Sequence, residues 1–131
     1  MEFIDYNIVD NKVIFNIYIN KYMSNQPKTD EECILITLSI IALSEKIKIE
    51  YSEFKQILIF DCIDSHISQL ENIKYVYYII KELHKFTKDD RLLDKIIIKN
   101  YGLNFYKFYQ KSKYVLPDYI TSLIEFQDEI V

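Results

Sequence analysis

The sequence predicts a mainly α-helical fold, a single compact bundle of about five to six helices behind an N-terminal β-hairpin. Counting the hairpin would make the class α+β. Two patterns support this expectation. Residues 1–20 alternate apolar and polar side chains with the period of a strand, whereas residues 29–131 repeat apolar side chains with the period of a helix. The length of 131 residues suits one domain, 1–131.

The hairpin is predicted from two alternating runs, Ile4 to Ile8 and Val13 to Ile19. The turn-favouring residues Asp10-Asn11-Lys12 separate these runs. An outer hairpin edge carries unpaired backbone groups. Pairing of this edge with a second copy would give a homodimer.

A long helix is predicted after the capping box Thr29-Asp30-Glu31-Glu32. Its residues from Cys33 to Leu43 are apolar on nearly every side, which is typical of a helix at the centre of a bundle. Gly102 is expected to end a later helix in the left-handed conformation. Further helices are predicted from Ser52 through Phe54, Ile57, Leu58 and Cys62, from Ser68 through Leu83, from Thr87 through Ile97, from Asn104 through Phe108, and from Pro117 through Ile130.

The composition argues against several classes of protein. The 24 Ile, 15 Lys and 12 Tyr beside one Gly indicate an A/T-rich genome. The single glycine also argues against a phosphate-binding loop, which needs several glycines. The sequence shows neither a targeting signal nor an apolar run long enough to cross a membrane, so no membrane partner is expected. Two cysteines set no disulfide framework, which predicts a cytoplasmic, reducing location. No cofactor is expected.

Candidate catalytic and metal-binding groups are few. Asp61, Asp64 and His66 have metal-ligand chemistry, but their spacing suits an ordinary polar helix end better than a metal site. Cys33 and Cys62 lie in apolar patterns, where cysteine behaves as a small hydrophobe. We therefore expect no catalytic or metal site and no enzymatic activity.

The charges divide along the chain. Residues 1–73 carry a net charge of −6, residues 74–114 of +6, and residues 115–131 of −4. The first two blocks could meet and neutralise each other, or leave an acidic surface that attracts a cationic partner. The aromatic and lysine-rich stretch Phe105 to Tyr114 has the composition of a nucleic-acid surface. It also fits a core stripe with lysines outside, so nucleic acid is not the expected partner.

The preferred functional hypothesis is a small protein-binding inhibitor, an immunity protein that neutralises a basic toxin domain such as a nuclease. The alternative is a phage or viral host-interaction protein, a helical bundle that binds a helix of a host protein. The residues expected to contact the partner are the acids Asp30, Glu31, Glu32, Glu45, Glu50, Glu53, Asp61 and Asp64 and the tyrosines Tyr75 and Tyr78.

Overall fold

The computed structural model describes residues 4–18, 30–62, 70–87 and 92–128. Within these ranges the chain forms a five-stranded sheet in the order β1-β2-β3-β4-β5. The strands are β1 (Ile4–Val9), β2 (Lys12–Tyr18), β3 (Lys55–Asp61), β4 (Leu93–Lys99) and β5 (Ile124–Gln127). The helices are α1 (Asp30–Glu50), α2 (Leu70–Thr87), α3 (Leu103–Ser112) and α4 (Asp118–Thr121), with a 3-10 turn at Lys113–Val115.

The N-terminal hairpin is confirmed. β1 and β2 pair antiparallel, with Tyr6 opposite Phe15. The turn between them holds Asp10 at a φ of 54°, a left-handed conformation that aspartate tolerates better than most residues. The helices predicted after Ser68 and from Asn104 are also present, as α2 and α3.

The prediction of a mainly α bundle is wrong, because the chain folds as an α/β protein around a mixed sheet. The segments predicted as helices after Ser52 and Thr87 form β3 and β4, and the last predicted helix ends early and is followed by β5. Strands in the middle of a parallel sheet carry nearly continuous apolar runs, which periodicity alone does not distinguish from a buried helix. The runs Ile57 to Phe60 and Ile96 to Ile98 are of this kind.

All described helices pack on one side of the sheet. β2, β3, β4 and β5 are parallel neighbours in chain order, so each connection crosses over in the same direction. Right-handed crossovers then place every helix on the same face. The core lies between these helices and the sheet. It contains side chains of the helices and the alternate strand residues on the helix-covered face, including Val13, Phe15, Ile17, Leu58, Phe60, Ile96 and Ile98.

Two further expectations about helix ends have different outcomes. Gly102 does not end a helix in the left-handed conformation; it precedes α3 with a φ of −89° and a ψ of 158°. The chain therefore uses this glycine at a helix start, in a backbone conformation open to any residue. The capping box at Thr29 begins outside the described residues.

Candidate protein-binding surface

The acids of α1 whose side chains the structure describes, and the acid of the turn after it, are exposed. Glu31 lies in the first turn of α1, and Glu45 and Glu50 lie near its end. Glu53 follows in the turn before β3, with a φ of 70°. Glu31 and Glu45 are separated by about 21 Å along the helix axis, from the rise of 1.5 Å per residue.

Asp61 lies apart from Glu53. It is the last residue of β3, so the length of the strand, about 20 Å, separates the two carboxylates. Asp61 is half-buried, and its Oδ1 accepts a hydrogen bond from Asn100 Nδ2 at 2.9 Å. The described acids of α1 therefore share one helix, whereas Asp61 lies at the other end of the sheet from Glu53.

The remaining predicted contact residues are only partly described. Asp64 lies outside the described residues. Asp30, Glu32 and Tyr75 belong to helices, but their side chains are outside the described part of the structure. Tyr78 is half-buried on α2.

The outward side of α1 carries a stripe of apolar residues that sequence reasoning missed. Leu35 is 65% exposed, Leu38 is 50% exposed and Ile49 is 86% exposed. The exposed Ala42 lies between them, and Glu31 and Glu45 continue the same line. We call this set, Glu31, Leu35, Leu38, Ala42, Glu45 and Ile49, the outer stripe of α1.

The spacing of the outer-stripe residues along α1 places them on one side of the helix. These residues follow one another at steps of four, three, four, three and four residues, which keeps them on one side of an α-helix. The buried residues of α1 occupy the opposite side, with Thr37, Ile40, Ser44 and Ile47 each at most 5% exposed. The prediction that α1 is a central helix buried on every side is therefore wrong.

The acidic and basic blocks of the sequence do not neutralise each other across the described helices. Glu45 pairs with Lys48 of its own helix, at 3.6 Å. Glu82 pairs with Lys85, also within one helix, at 2.8 Å. Among the described side chains, no ion pair joins a carboxylate of α1 to a lysine of α2 or α3.

The groove between α2 and α3 is the other candidate surface on the helical side. It encloses about 390 Å³ and is lined by Tyr77, Tyr78, Phe108 and Val115 with charged side chains at its rim. Tyr77 Oη and Ser112 Oγ are 2.8 Å apart, a hydrogen bond that joins the two helices. The groove is wide open to solvent. Its most buried ring, that of Tyr77, already packs against Phe108 of the same protein.

The described cysteine and histidine do not form a catalytic pair. Cys62 is buried at the carboxyl end of β3, and burial, followed by the nearby Asp61 charge, raises the pKa of its thiol to about 12. His84 lies next to the ring of Tyr119, whose hydroxyl donates to Leu93 O at the amino end of β4. Cys62 and His84 are therefore at opposite ends of the sheet.

The Asp61, Asp64 and His66 cluster is not assembled by the described residues, since only Asp61 is among them. Within the described ranges, no three histidine, cysteine or acidic side chains are grouped as metal ligands would be.

Comparison with known proteins gives no relative: the chain matches no protein-family model, and no curated sequence is significantly similar to it. None of the helices in the described ranges is long and apolar enough to cross a membrane. The functional assignment therefore depends on the surfaces of the molecule.

Proposed function

We propose that this protein is a binding protein that captures a basic partner on the outer stripe of α1. The observation that carries the proposal is the exposure of Leu35, Leu38 and Ile49 on one line of a helix, with Glu31 and Glu45 on the same line. Such a stripe fits a partner helix that presents its own apolar seam.

The apolar part of the stripe supplies affinity. Burial of a fully exposed leucine or isoleucine side chain is worth about 1.5 to 3 kcal/mol, so the partly exposed side chains of the stripe should each contribute roughly half of that or more. A line of exposed apolar side chains with charged residues among them is typical of a protein-interaction site. The leucines and the isoleucine are therefore expected to be the anchors of the interface.

The acidic part of the stripe selects the charge of the partner. Glu31 and Glu45 place two carboxylates on the stripe, and Glu50 adds a third at the end of α1. Lys48, one of the two lysines in this helix, already pairs with Glu45. A partner with lysine or arginine beside its apolar seam would be attracted, and an acidic partner would be repelled. This favours the basic partner predicted from the sequence.

The finer identity of the partner is part of the proposal. An immunity protein that neutralises a basic toxin would use this surface to occupy the toxin's cationic cleft. A phage or viral protein that binds a host helix would use the same stripe. The neighbouring genes distinguish the two: a toxin gene beside this one supports the first, and a surrounding block of viral genes supports the second.

The test uses a synthetic helical peptide of three heptads, with leucine at the two apolar positions and lysine at the flanking positions. Calorimetry is expected to show binding of this peptide and no binding of the same peptide with glutamate in place of lysine. Leu38→Gln should weaken binding about fourfold to tenfold, because it removes a half-exposed apolar anchor worth about 0.8 to 1.5 kcal/mol. Glu45→Gln should weaken binding about threefold, and only at low salt.

The controls match each variant in exposure and charge. Leu103→Gln removes a leucine of α3 that is 48% exposed, close to the 50% of Leu38. Glu125→Gln removes a carboxylate that, like Glu45, has one lysine nearby, at 3.7 Å. Neither should change peptide affinity. Equal losses in variants and controls, or no binding of the basic peptide at all, would overturn the proposal.

A further inference from the structure

The outer edge of β1 is not paired with any strand in the described part of the chain. β1 stands first in the strand order, and its six residues pair with β2 without a bulge. The strand contains neither lysine nor proline, the residues that commonly keep such an edge from pairing with another chain. The strand at the opposite edge, β5, has only four residues. β1 is therefore the edge of this sheet that is better suited to pairing.

The exposure of its residues sets the usable length of this edge. Residues 5–9 are all exposed except Ile8, which is half-buried and packs its side chain against the core. Ile4, in contrast, is only 5% exposed, so little of the edge is open there. The open edge therefore consists of residues 5–9, with Asn7 at its midpoint.

The hairpin turn determines which backbone groups of β1 point outward. Val9 and Lys12 flank the two-residue turn, so they form the hydrogen-bonded pair that closes it. Hydrogen-bonded and non-hydrogen-bonded pairs alternate along an antiparallel ladder. The N–H and C=O groups of Tyr6 and Ile8 therefore point away from β2. A new strand can bond to these groups without disturbing the hairpin.

We propose that a second copy of this chain pairs its β1 antiparallel to this edge, about a two-fold axis through Asn7. Tyr6 of each copy then exchanges backbone hydrogen bonds with Ile8 of the other, and Asn7 faces Asn7. An amide suits the axis, because it carries both the acceptor and the donors that an identical amide needs. Asp5 lies opposite Val9, about 14 Å from its symmetry mate, so like charges do not meet.

Exposure favours this register over its neighbours. An axis through Tyr6 would have to pair Ile4, where the edge is not open. An axis through Ile8 would pair only residues 7–9 and leave the ring of Tyr6, which is 40% exposed, outside the interface. The axis through Asn7 uses the whole open edge. It also makes the surface self-complementary, as a two-fold dimer requires.

The dimer should be weak. A strand edge of this length buries less than about 1,200 Å² in total, the range of transient contacts. Dimerisation is therefore expected as the protein concentration rises through the high micromolar range. It does not depend on the proposed function, because the outer stripe of α1 lies opposite the buried side of that helix.

Sedimentation velocity on charged variants of Asn7 tests the arrangement. Asn7→Lys places two ammonium groups face to face at the axis and Asn7→Glu two carboxylates, so each variant alone should be monomeric. An equimolar mixture should regain the dimer, because opposite charges then meet. Asn11→Lys is the matched control: Asn11 is exposed in the hairpin turn, outside the paired edge, and this variant should dimerise like the unaltered chain.

Disulfide trapping tests the register, in a Cys33→Ser background. Asn7→Cys brings two thiols together across the axis, where the Cα atoms of a non-hydrogen-bonded pair are about 4.5 Å apart and within disulfide reach. Tyr6→Cys leaves its two Cα atoms about 8 to 9 Å apart, which is too far. Oxidation should therefore link Asn7→Cys and not Tyr6→Cys.

Each result decides the question. An unaltered chain that stays monomeric at millimolar concentration would overturn the proposal, and so would a dimer that survives Asn7→Lys. Linkage of Tyr6→Cys in place of Asn7→Cys would show a different register and also overturn it. Thermal melting checks that the variants are folded; since Asn7 is exposed, its variants should melt like the unaltered chain.

Discussion

Ser44 of α1 donates its hydroxyl to Gln56 Oε1 of β3 at 2.7 Å, inside the hydrophobic core. Gln56 Nε2 in turn donates to the backbone carbonyl oxygen of Ser44 at 3.5 Å, so the amide of Gln56 and the hydroxyl of Ser44 are both paired away from water. Because this pair joins the buried side of α1 to Gln56 of β3, it fixes the rotation of the helix about its own axis. That rotation turns Leu35 and Leu38 to the outside.

Removal of either partner of this pair should destabilise the fold. Ser44→Ala or Gln56→Leu leaves a buried polar group without its partner, at an expected cost of about 1 to 3 kcal/mol. The double variant should lose less than the sum of the two, because no polar group is then stranded. Urea unfolding of the four proteins measures the difference, and strictly additive losses would show that the pair is not coupled.

The two sides of α1 should differ sharply in their tolerance of substitution. Ile40 is 1% exposed, so Ile40→Ala should cost about 2 to 5 kcal/mol of unfolding free energy. Leu38→Ala, two residues away on the opposite side of the helix, should cost under about 0.5 kcal/mol. Chemical denaturation checks both. Comparable losses would mean that the stripe is covered within the folded chain.

Phe126 should hold the short strand β5 in place. Its ring packs on those of Tyr101, Tyr106 and Tyr109, with centroids 4.8, 5.1 and 5.0 Å away. Since the ring is only partly buried, Phe126→Ala should cost about 3 kcal/mol, the lower end of the range for this change. Hydrogen exchange should show faster exchange of the Ile96 amide, which donates to Leu123 O beside β5. Unchanged protection of that amide would contradict this role.

Cys62 should be unreactive in the folded protein. Burial raises the pKa of its thiol from 9.0 to about 12, so folding favours the protonated form. The resulting contribution to stability is complete below pH 9.0 and is lost as the pH rises toward about 12. In a Cys33→Ser background, iodoacetamide at pH 9 should label the chain only after urea is added. Rapid labelling without urea would contradict the burial of the thiol.

The elements with a distinctive local pattern were predictable from the sequence. The hairpin followed from strict alternation across Asp10-Asn11-Lys12, and α2 and α3 from apolar spacing on one side. β3 and β4 resemble buried helices in sequence because they carry apolar side chains on both faces, so their runs lack alternation. The pairing of strands is decided by contacts between residues that are distant in sequence. Such contacts produce no local sequence pattern.

The candidate surface was predictable only in part. The acids of α1 were identified from charge, since exposed carboxylates need no knowledge of the fold. The outer stripe was missed because a helix apolar on every side has two explanations, burial at a centre or one buried side and one exposed side. Only the position of the sheet beneath Ile40 and Ser44 distinguishes them. The four-three spacing from Leu35 to Ile49 was the signal available in the sequence.

The most direct measurement is a methyl NMR titration of the protein with the basic heptad peptide. Capture on the outer stripe predicts that the methyl groups of Leu35, Leu38, Ala42 and Ile49 shift together and saturate with one affinity, while those of Leu103 and Val115 do not move. Shifts confined to the groove between α2 and α3, or no shifts along α1, would contradict a binding role for this helix.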